Sequence, residues 1–246
     1  MTKAGGVPVI GVLLIGVLCS PAGVSAQQRP PIVDKIVKAH GFDSWDQIDA
    51  IRYTFNIDVA SLKLKITRSW VWEPKTDRIS YDGPDKTGKP VKVTYSHSQP
   101  ESITDVVKNE IDPAFINDQY NLFSHFHLVW DTSATVEDAG MQKLPLEKGS
   151  AEKVVMQYPS NGGGYTPGDT WAFYVAPDGK IRELDFHHGG KAPPAVFTAI
   201  YADYKKVGPL LLALDHRGKA DGKPARIFFT NVAVKLVGSN TWMEAQ

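Results

Sequence analysis

Apolar residues beyond residue 30 recur at first with a helical period. In IVDKIVKAHGF, four of them fall on one side at spacings of three and four, namely Ile32, Val33, Ile36 and Val37. Gly41 follows soon after, where a helix commonly ends. The pattern therefore predicts one amphipathic helix at the start of the folded chain.

The period then changes to two, which is typical of strands with one buried face. In YTFNIDV the apolar side chains alternate with polar ones at Tyr53, Phe55, Ile57 and Val59. In LKLKITRSWVW the apolar row comprises Leu62, Leu64, Ile66, Trp70 and Trp72. Arg68 interrupts this second row, so a cation is predicted on an otherwise apolar face.

Residues 102–130 form a different kind of segment, which we interpret as a helical insertion. Val106, Val107 and Ile111 lie at helical spacing, and Asp112-Pro113 is expected to end that helix because proline restricts the residue before it. Proline then opens a second helical pattern in PAFINDQYNLFSHFH. The insertion is thus expected to contain two helical pieces.

Strand patterns return after residue 153 and continue to the end of the chain. They include EKVVMQYP, a hairpin that turns at Pro177-Asp178-Gly179, and PARIFFTNVAVKLV. The patterns predict roughly eight or nine antiparallel strands in all. Because the strands do not alternate with helices, a parallel sheet is not expected. We interpret residues 27–246 as a single domain.

The first 26 residues have the three parts of an export signal. A charged start, MTK, precedes an apolar stretch and small residues that end at Val24-Ser25-Ala26. We predict cleavage after Ala26, and a periplasmic or secreted protein that is not integral to the membrane. Lipidation of Cys19 is the alternative, but Leu18 stands where a lipoprotein signal needs a small residue. An uncleaved anchor is disfavoured because the apolar run is short.

Composition narrows the classes of function. The 27 basic and 27 acidic residues balance, and no basic stripe is visible, so nucleic-acid binding is not expected. Cys19 is the only cysteine. Removal of the signal would therefore exclude disulfides, thiolate chemistry and cysteine-based zinc sites. A core that is stable without cross-links is implied.

The order of these elements resembles the lipoprotein-localisation factor superfamily, the LolA/LolB-like proteins. The resemblance is carried by SWVWEPKTDRISYDG, INDQYNLFSHFHLVWD, GDTWAFYVAPDGKIRELDF, YADYKKVGPLLLALDHRG and IFFTNVAVKL. It implies an α+β fold that is mainly antiparallel: an incomplete β-barrel, or half-barrel, with a leading helix and a helical insertion covering its concave face. It also implies an apolar cavity, with a lipid, a lipoprotein or another envelope protein as partner.

Histidines are the candidates for metal chemistry. His125 and His127, together with His187, His188 and Asp185, could supply the ligands of one metal. Histidines two positions apart point the same way on a strand, but they diverge by about 200° on a helix. The alternative is that the rings line an apolar wall. No HExxH motif occurs, and we see no carboxylate close in sequence to orient an imidazole, so we predict no tightly bound metal and no cofactor.

Two other constellations are interpreted as structural. Glu183 and Asp185 point the same way on a predicted strand, which we interpret as its solvent face. The glycine run at residues 162–165 lacks the lysine of a phosphate-binding loop, and no G-x-S-x-G nucleophile motif occurs. No catalytic residue is therefore predicted.

Arg68 is the most informative position. An unpaired buried charge costs several kcal/mol, so Arg68 requires a carboxylate partner, an anionic ligand, or a bulge that turns it towards solvent. With a ligand, it would bind the headgroup of an anionic lipid whose hydrocarbon chain runs along Leu64, Ile66, Trp70 and Trp72.

We therefore hypothesise an exported, non-enzymatic protein that binds a lipid or another long apolar ligand in an aromatic-lined cleft. Its predicted polar residues are Arg68, His125 and His127. Its predicted apolar lining residues are Phe55, Leu64, Ile66, Trp70, Trp72, Phe123, Phe126, Trp130, Trp171 and Phe173. The competing hypotheses are a metal-dependent hydrolase or lyase using the four histidines, and a structural envelope protein with a filled core.

Overall fold

The computed structural model describes residues 29–99, 104–161, 167–190 and 197–246. The predicted signal peptide, its cleavage after Ala26 and the glycine run lie outside them. The described residues contain two longer helices, α1 (Pro31–Ala39) and α2 (Asp112–Trp130). Shorter helical turns occur at Phe42–Gln47, Ala60–Leu62, Val107–Ile111 and His188–Gly190.

Within these described ranges, twelve strands form one antiparallel sheet. They are β1 (Ile48–Val59), β2 (Leu64–Glu73), β3 (Arg78–Pro84), β4 (Pro90–Ser96), β5 (Thr135–Lys143), β6 (Ser150–Gln157), β7 (Thr170–Val175), β8 (Ile181–His187), β9 (Phe197–Val207), β10 (Leu210–Ala220), β11 (Lys223–Leu236) and β12 (Trp242–Glu244). The order across the sheet is β4-β3-β2-β1-β11-β10-β9-β8-β7-β6-β5, and β12 pairs with β11. The strands β4 and β5 lie at opposite ends of this order, so the sheet is not closed into a barrel.

The predicted half-barrel with a leading helix and a helical insertion is confirmed. The number of strands is larger than the eight or nine predicted, since the residues that the structure describes contain twelve. The patterns missed β5, and they identified only part of its hairpin partner β6. The strand β5 is largely exposed, so its sequence, TVEDAGMQK, lacks the apolar alternation by which a half-buried strand is recognised.

The helix α1 forms where the helical period predicts it. Its buried residues are the four of the apolar stripe, Ile32, Val33, Ile36 and Val37. Pro31 occupies the first turn, where its missing N–H removes no helical hydrogen bond. The buried stripe packs into the same core cluster as α2, so the leading helix fills one end of the concave face.

The helical insertion is continuous rather than divided at Asp112-Pro113, and the predicted break there is wrong. A π-helical turn over Val107–Ile111 leads directly into α2. Pro113 is the second residue of α2, just after the π-helical turn, where the helical hydrogen-bond pattern changes and a missing N–H can be accommodated. An irregular backbone at Phe123 (φ −119°, ψ 21°) instead marks a kink further along.

The insertion connects the two open edges of the sheet. It leaves β4, crosses the concave face as α2, and enters β5 at the other edge. Thirteen residues of α2 are buried, and they face inward side chains of the sheet such as Tyr53, Phe55 and Trp70, each about 1% exposed. The concave face is therefore filled for most of its length by side chains of the insertion.

The described residues contain no helix that is both long enough and apolar enough to span a membrane.

Candidate functional site

An aromatic pocket lies between the Phe42–Gln47 turn, β2 and α2. Its walls are Trp45, Trp72, Phe115 and Trp130, and its volume is about 280 Å³. The ring centroids of Trp45 and Trp130 lie 4.8 Å apart, and those of Trp72 and Trp130 lie 6.2 Å apart at 86°. Each element contributes one or two large rings, so the pocket depends on the docking of α2 onto the sheet. We call this cavity the aromatic pocket.

The polar lining of the aromatic pocket comprises Asp77, His97, Gln119 and His127. The two ring nitrogens of His127 contact Gln119 (Nε2 to Oε1, 3.0 Å) and Asp131 (Nδ1 to Oδ2, 2.9 Å). The ring of Tyr120 stacks on the imidazole with centroids 3.5 Å apart. Burial lowers the pKa of His127, although Asp131 opposes this shift. The imidazole is therefore held in one orientation beside the pocket.

Asp131 anchors this arrangement, and sequence reasoning missed it. The statement that no carboxylate lies near the histidines in sequence is wrong, because Asp131 follows His127 by one helical turn. Its Oδ2 also accepts hydrogen bonds from the hydroxyls of Tyr120 and Tyr158. Burial tends to raise the pKa of Asp131, but these donors outweigh it and the pKa is lowered. The carboxylate therefore stays charged and ties α2 to the end of β6.

His125 points away from His127 into the core. The α2 backbone is helical at both residues, so side chains two positions apart diverge. The ring of His125 lies against His40, with centroids 4.1 Å apart. Burial lowers the pKa of His125 well below its ordinary value. The sequence left open whether the two histidines lie on a strand or on a helix. The structure places both on a helix, so the two rings lie in different environments.

The other histidines of the hydrolase hypothesis lie at the end of β8. His188 contacts Asp169 (Nδ1 to Oδ1, 2.9 Å), while His187 is the last residue of the strand. Asp185 accepts a hydrogen bond from Tyr174 at 3.2 Å. In the part of the chain that the structure describes, no group of three or more metal-ligating side chains is placed to hold an ion.

Glu183 is not on a solvent face, and that interpretation is wrong. Its side chain is fully buried beneath the loop between β5 and β6. Its carboxylate accepts the backbone N–H groups of Leu146 at 2.7 Å and Glu147 at 2.8 Å. The carboxylate thus satisfies loop backbone donors, and the alternation of β8 could not reveal that a distant loop covers this face.

Arg68 meets a carboxylate on the concave face. Its Nε and Nη2 donate to the two oxygens of Asp118 at 2.7 and 2.5 Å. Trp70 Nε1 donates to the same carboxylate at 2.9 Å. The Asp118 side chain is fully buried, whereas that of Arg68 is 17% exposed. Of the three predicted solutions for this cation, the structure contains the carboxylate partner.

The predicted apolar lining residues divide into three groups. Trp72 and Trp130 line the aromatic pocket, whereas Leu64 is exposed and Ile66 partly exposed near the start of β2. The others are buried in the core, in contact with α2 or neighbouring strands, namely Phe55, Trp70, Phe123, Phe126, Trp171 and Phe173. The pattern missed Trp45, Phe115 and Gln119. Trp45 lies in a short turn without a period, so no sequence signal placed it at the site.

Comparison with known proteins gives only distant similarity. Neither a protein-family model nor a curated protein matches the chain. Similar solved structures include a DUF1329 family protein from Desulfovibrio piger, 11% identical over 85% of this chain and 93% of that one, with a TM-score of 0.47. A LolA superfamily protein from Nitrosomonas europaea is 6% identical over 82% and 90%, with a TM-score of 0.48. The Mycobacterium tuberculosis lipoprotein LppX is 8% identical over 83% and 96%, with a TM-score of 0.30.

Proposed function

We propose that this chain is an exported, non-enzymatic binding protein for a lipid or other apolar ligand, and that the aromatic pocket is its site. The observation that carries the proposal is a cavity in which four large aromatic residues meet a polar edge that includes Gln119 and the oriented ring of His127. Sites for small molecules commonly combine mostly apolar walls with a few fixed polar groups.

The size of the pocket limits what enters it. Its 280 Å³ lies near the lower end of the usual range for ligand sites, about 300–1,000 Å³. It therefore accommodates one apolar segment, such as the end of an acyl chain, rather than a whole lipid. Each buried methylene contributes about 0.8 kcal/mol. A terminal polar group would hydrogen-bond to the Gln119 side chain, because both ring nitrogens of His127 already have partners.

The test is a titration with 1-alkanols of increasing length, followed by tryptophan fluorescence. We expect saturable quenching whose affinity rises about fourfold per methylene, as 0.8 kcal/mol implies, until the pocket is full. Ile116 lies at the pocket, so Ile116→Trp should fill it and abolish binding. Val106, which is 41% exposed on the same insertion, supplies the matched control Val106→Trp, which should bind normally.

The opposite result would favour the filled-core hypothesis. If no alkanol gives saturable quenching, or if both tryptophan variants lose binding equally, the aromatic rings form a structural core only. The burial of residues such as Phe55 and Phe123 is the observation on which that second hypothesis rests. Mass spectrometry of the purified protein separates the two directly, because a binding protein retains an apolar ligand from its source.

A further inference from the structure

A second cavity lies on the outer face of the sheet, opposite to α2. It is a groove of about 770 Å³ that crosses β1, β2, β3 and β4, with Asn231 of β11 and Glu244 of β12 at one side. Its polar lining residues include Arg52 and Thr54, which alternate along β1 with the inward residues Tyr53 and Phe55. The groove is therefore separated from the aromatic pocket by the sheet itself. We call it the outer groove.

Hydroxyl side chains form the floor of the outer groove. Strand register places Thr54 beside Ser69 and Ser80 beside Thr94. The hydroxyl oxygens are 3.0 Å apart in the first pair and 2.8 Å apart in the second. Asn231 Nδ2 also donates to Thr54 Oγ1 at 3.3 Å. Each hydroxyl can both donate and accept, so the floor suits a ligand whose own groups do both.

The charges of the outer groove compensate one another. Arg52 pairs with Glu244 at one end, and Lys92 pairs with Asp82 at the other (3.1 Å). Two cations and two anions leave no net formal charge for a strongly ionic ligand to complement. Arg52 Nε is buried and has no hydrogen-bond partner among the described residues.

The position of the outer groove excludes a peptide added as a strand. It lies on the face of the sheet, where the backbone groups of the central strands are already paired across β1, β2 and β3. A ligand there can be recognised only through side chains, unlike one that extends a sheet edge. Val71, between Arg52 and Ser80 in the register, supplies an apolar contact within this polar lining.

We propose that the outer groove binds a neutral oligosaccharide. Sugar hydroxyls donate and accept, as the hydroxyl floor requires. The C–H face of a sugar ring fits the apolar contact at Val71, and a neutral chain matches the compensated charges. The volume of 770 Å³ lies within the usual range of small-molecule sites, about 300–1,000 Å³, and exceeds that of the aromatic pocket.

The experiment is isothermal titration calorimetry of the purified protein with maltotetraose, cellotetraose and chitotetraose. We expect at least one of them to bind with a dissociation constant of about 1 mM or lower. Thr54→Val and Ser80→Ala should each weaken that binding about tenfold, as the loss of one or two hydrogen bonds to the ligand would. Ser150→Ala, on the exposed start of β6, is the matched control and should leave the affinity unchanged.

Three results would overturn the proposal. They are the absence of binding for all three sugars, equal weakening in Ser150→Ala, and unchanged affinity in both groove variants. Ser69→Ala replaces Thr54→Val if the latter does not fold. Ile116→Trp in the aromatic pocket should leave sugar binding unaltered, so failure at either site is distinguishable from failure at the other.

Discussion

At the scale of single residues, Arg68 is hydrogen-bonded to the carboxylate of Asp118, which is shielded from solvent. Asp118 is fully buried, and the guanidinium supplies two of its hydrogen bonds. Removing one member of such a pair leaves a buried charge without compensation. Replacing both members by apolar residues of similar size is often neutral.

We therefore expect Arg68→Leu to lower the free energy of unfolding by about 3–5 kcal/mol. The double variant Arg68→Leu/Asp118→Leu should recover most of that loss in urea denaturation. Arg78→Leu is the control, because its pair with Glu73 is exposed and such pairs contribute about 0–1 kcal/mol. An equal loss in the single and double variants would contradict this account.

The headgroup role of Arg68 stays a prediction that the double variant can test. If Arg68 also binds an anionic lipid, the stable double variant should bind anionic lipids about tenfold more weakly, a loss of 1.4 kcal/mol. Its affinity for uncharged apolar probes should be unchanged. Equal weakening for both kinds of ligand, measured by the same fluorescence titration, would make Arg68 structural only.

Buried histidines set the response to acid. Burial lowers the pKa of His40 to about 4 and that of His216 to about 3. Both bind protons in the unfolded state near pH 6.5 but not in the folded state. Stability is therefore complete above pH 6.5 and falls as the pH drops towards 4. For His40 the shift corresponds to roughly 3 kcal/mol.

We expect the free energy of unfolding to fall steeply between pH 7 and pH 4. His216→Phe should flatten this dependence, since its ring stacks on Tyr201 (3.7 Å) and phenylalanine can keep that contact without titrating. His97 acts in the opposite sense, because the hydrogen bond to Asp112 raises its pKa. Urea melts at several pH values, with the exposed His188→Gln as control, measure the slopes. An unchanged slope in His216→Phe would refute the assignment.

Sequence reasoning at this scale found the cation but not its partner. The interrupted apolar row of β2 identified Arg68 as a residue that requires compensation. Asp118 lies 50 positions further along the chain, on a helix whose orientation no local pattern determines. The same limit applies to Glu183, whose loop donors are 36 and 37 positions away.

At the scale of elements, the C-terminal end of α2 is fixed by Asp131. Its carboxylate is hydrogen-bonded to His127 and Tyr120 of α2 and to Tyr158, the residue that follows β6. Hydrogen bonds to a charged group contribute about 1.5–3 kcal/mol. The aromatic pocket depends on this anchor because Trp130 directly precedes Asp131.

Asp131→Asn should lower the free energy of unfolding by about 2 kcal/mol and weaken alkanol binding together with it. The amide keeps the size of the side chain but removes its charge. Asp46→Asn, at an exposed position of the Phe42–Gln47 turn, should change neither quantity. Thermal melts and the fluorescence titration provide the measurements, and normal behaviour of Asp131→Asn in both would show that the anchor is dispensable.

Elements with a clear period were predictable, and those without one were not. The apolar stripe of α1 and the alternation in β1 and β2 both led to the observed structure. The exposed edge strand β5 carries no such signal. The spacing of Val106, Val107 and Ile111 predicted a helix, but it did not reveal a π-helical turn continuous with α2. The proline at position 113 was misread as a break because its effect depends on its place within the helix, which sequence spacing alone did not establish.

At the scale of the whole molecule, the half-barrel arrangement followed from the resemblance and was confirmed. The resemblance did not show that side chains of α2 fill most of the concave face. Whether an inward aromatic side chain lines an open cleft or packs beneath α2 depends on the exact docking of α2. Phe123 and Trp130 are both large aromatic residues in the apolar pattern of the insertion. Only Trp130 lines the aromatic pocket, whereas Phe123 is buried in the core.

Export is a prediction at this scale. The mature protein should begin at Gln27 and carry no acyl group, because Leu18 disfavours lipidation at Cys19. Intact-mass measurement of the protein recovered from the extracytoplasmic fraction checks both points. A mass that includes a diacylglyceryl Cys19 would overturn the cleavage site and the predicted release from the membrane.

The pairing of β1 with β11 has a consequence for how the chain folds. These central neighbours join residues as far apart as Ile48 and Leu236. Contacts of such long range slow folding, because the entropy of closing the loop opposes them before packing stabilises them. Before β11 is synthesised, no strand of the described sheet hydrogen-bonds β1, β2 and β3 to the strands from β5 to β10. The pairing of β11 with β1 therefore unites the two halves of the sheet, and it can form only after all the intervening strands have been made.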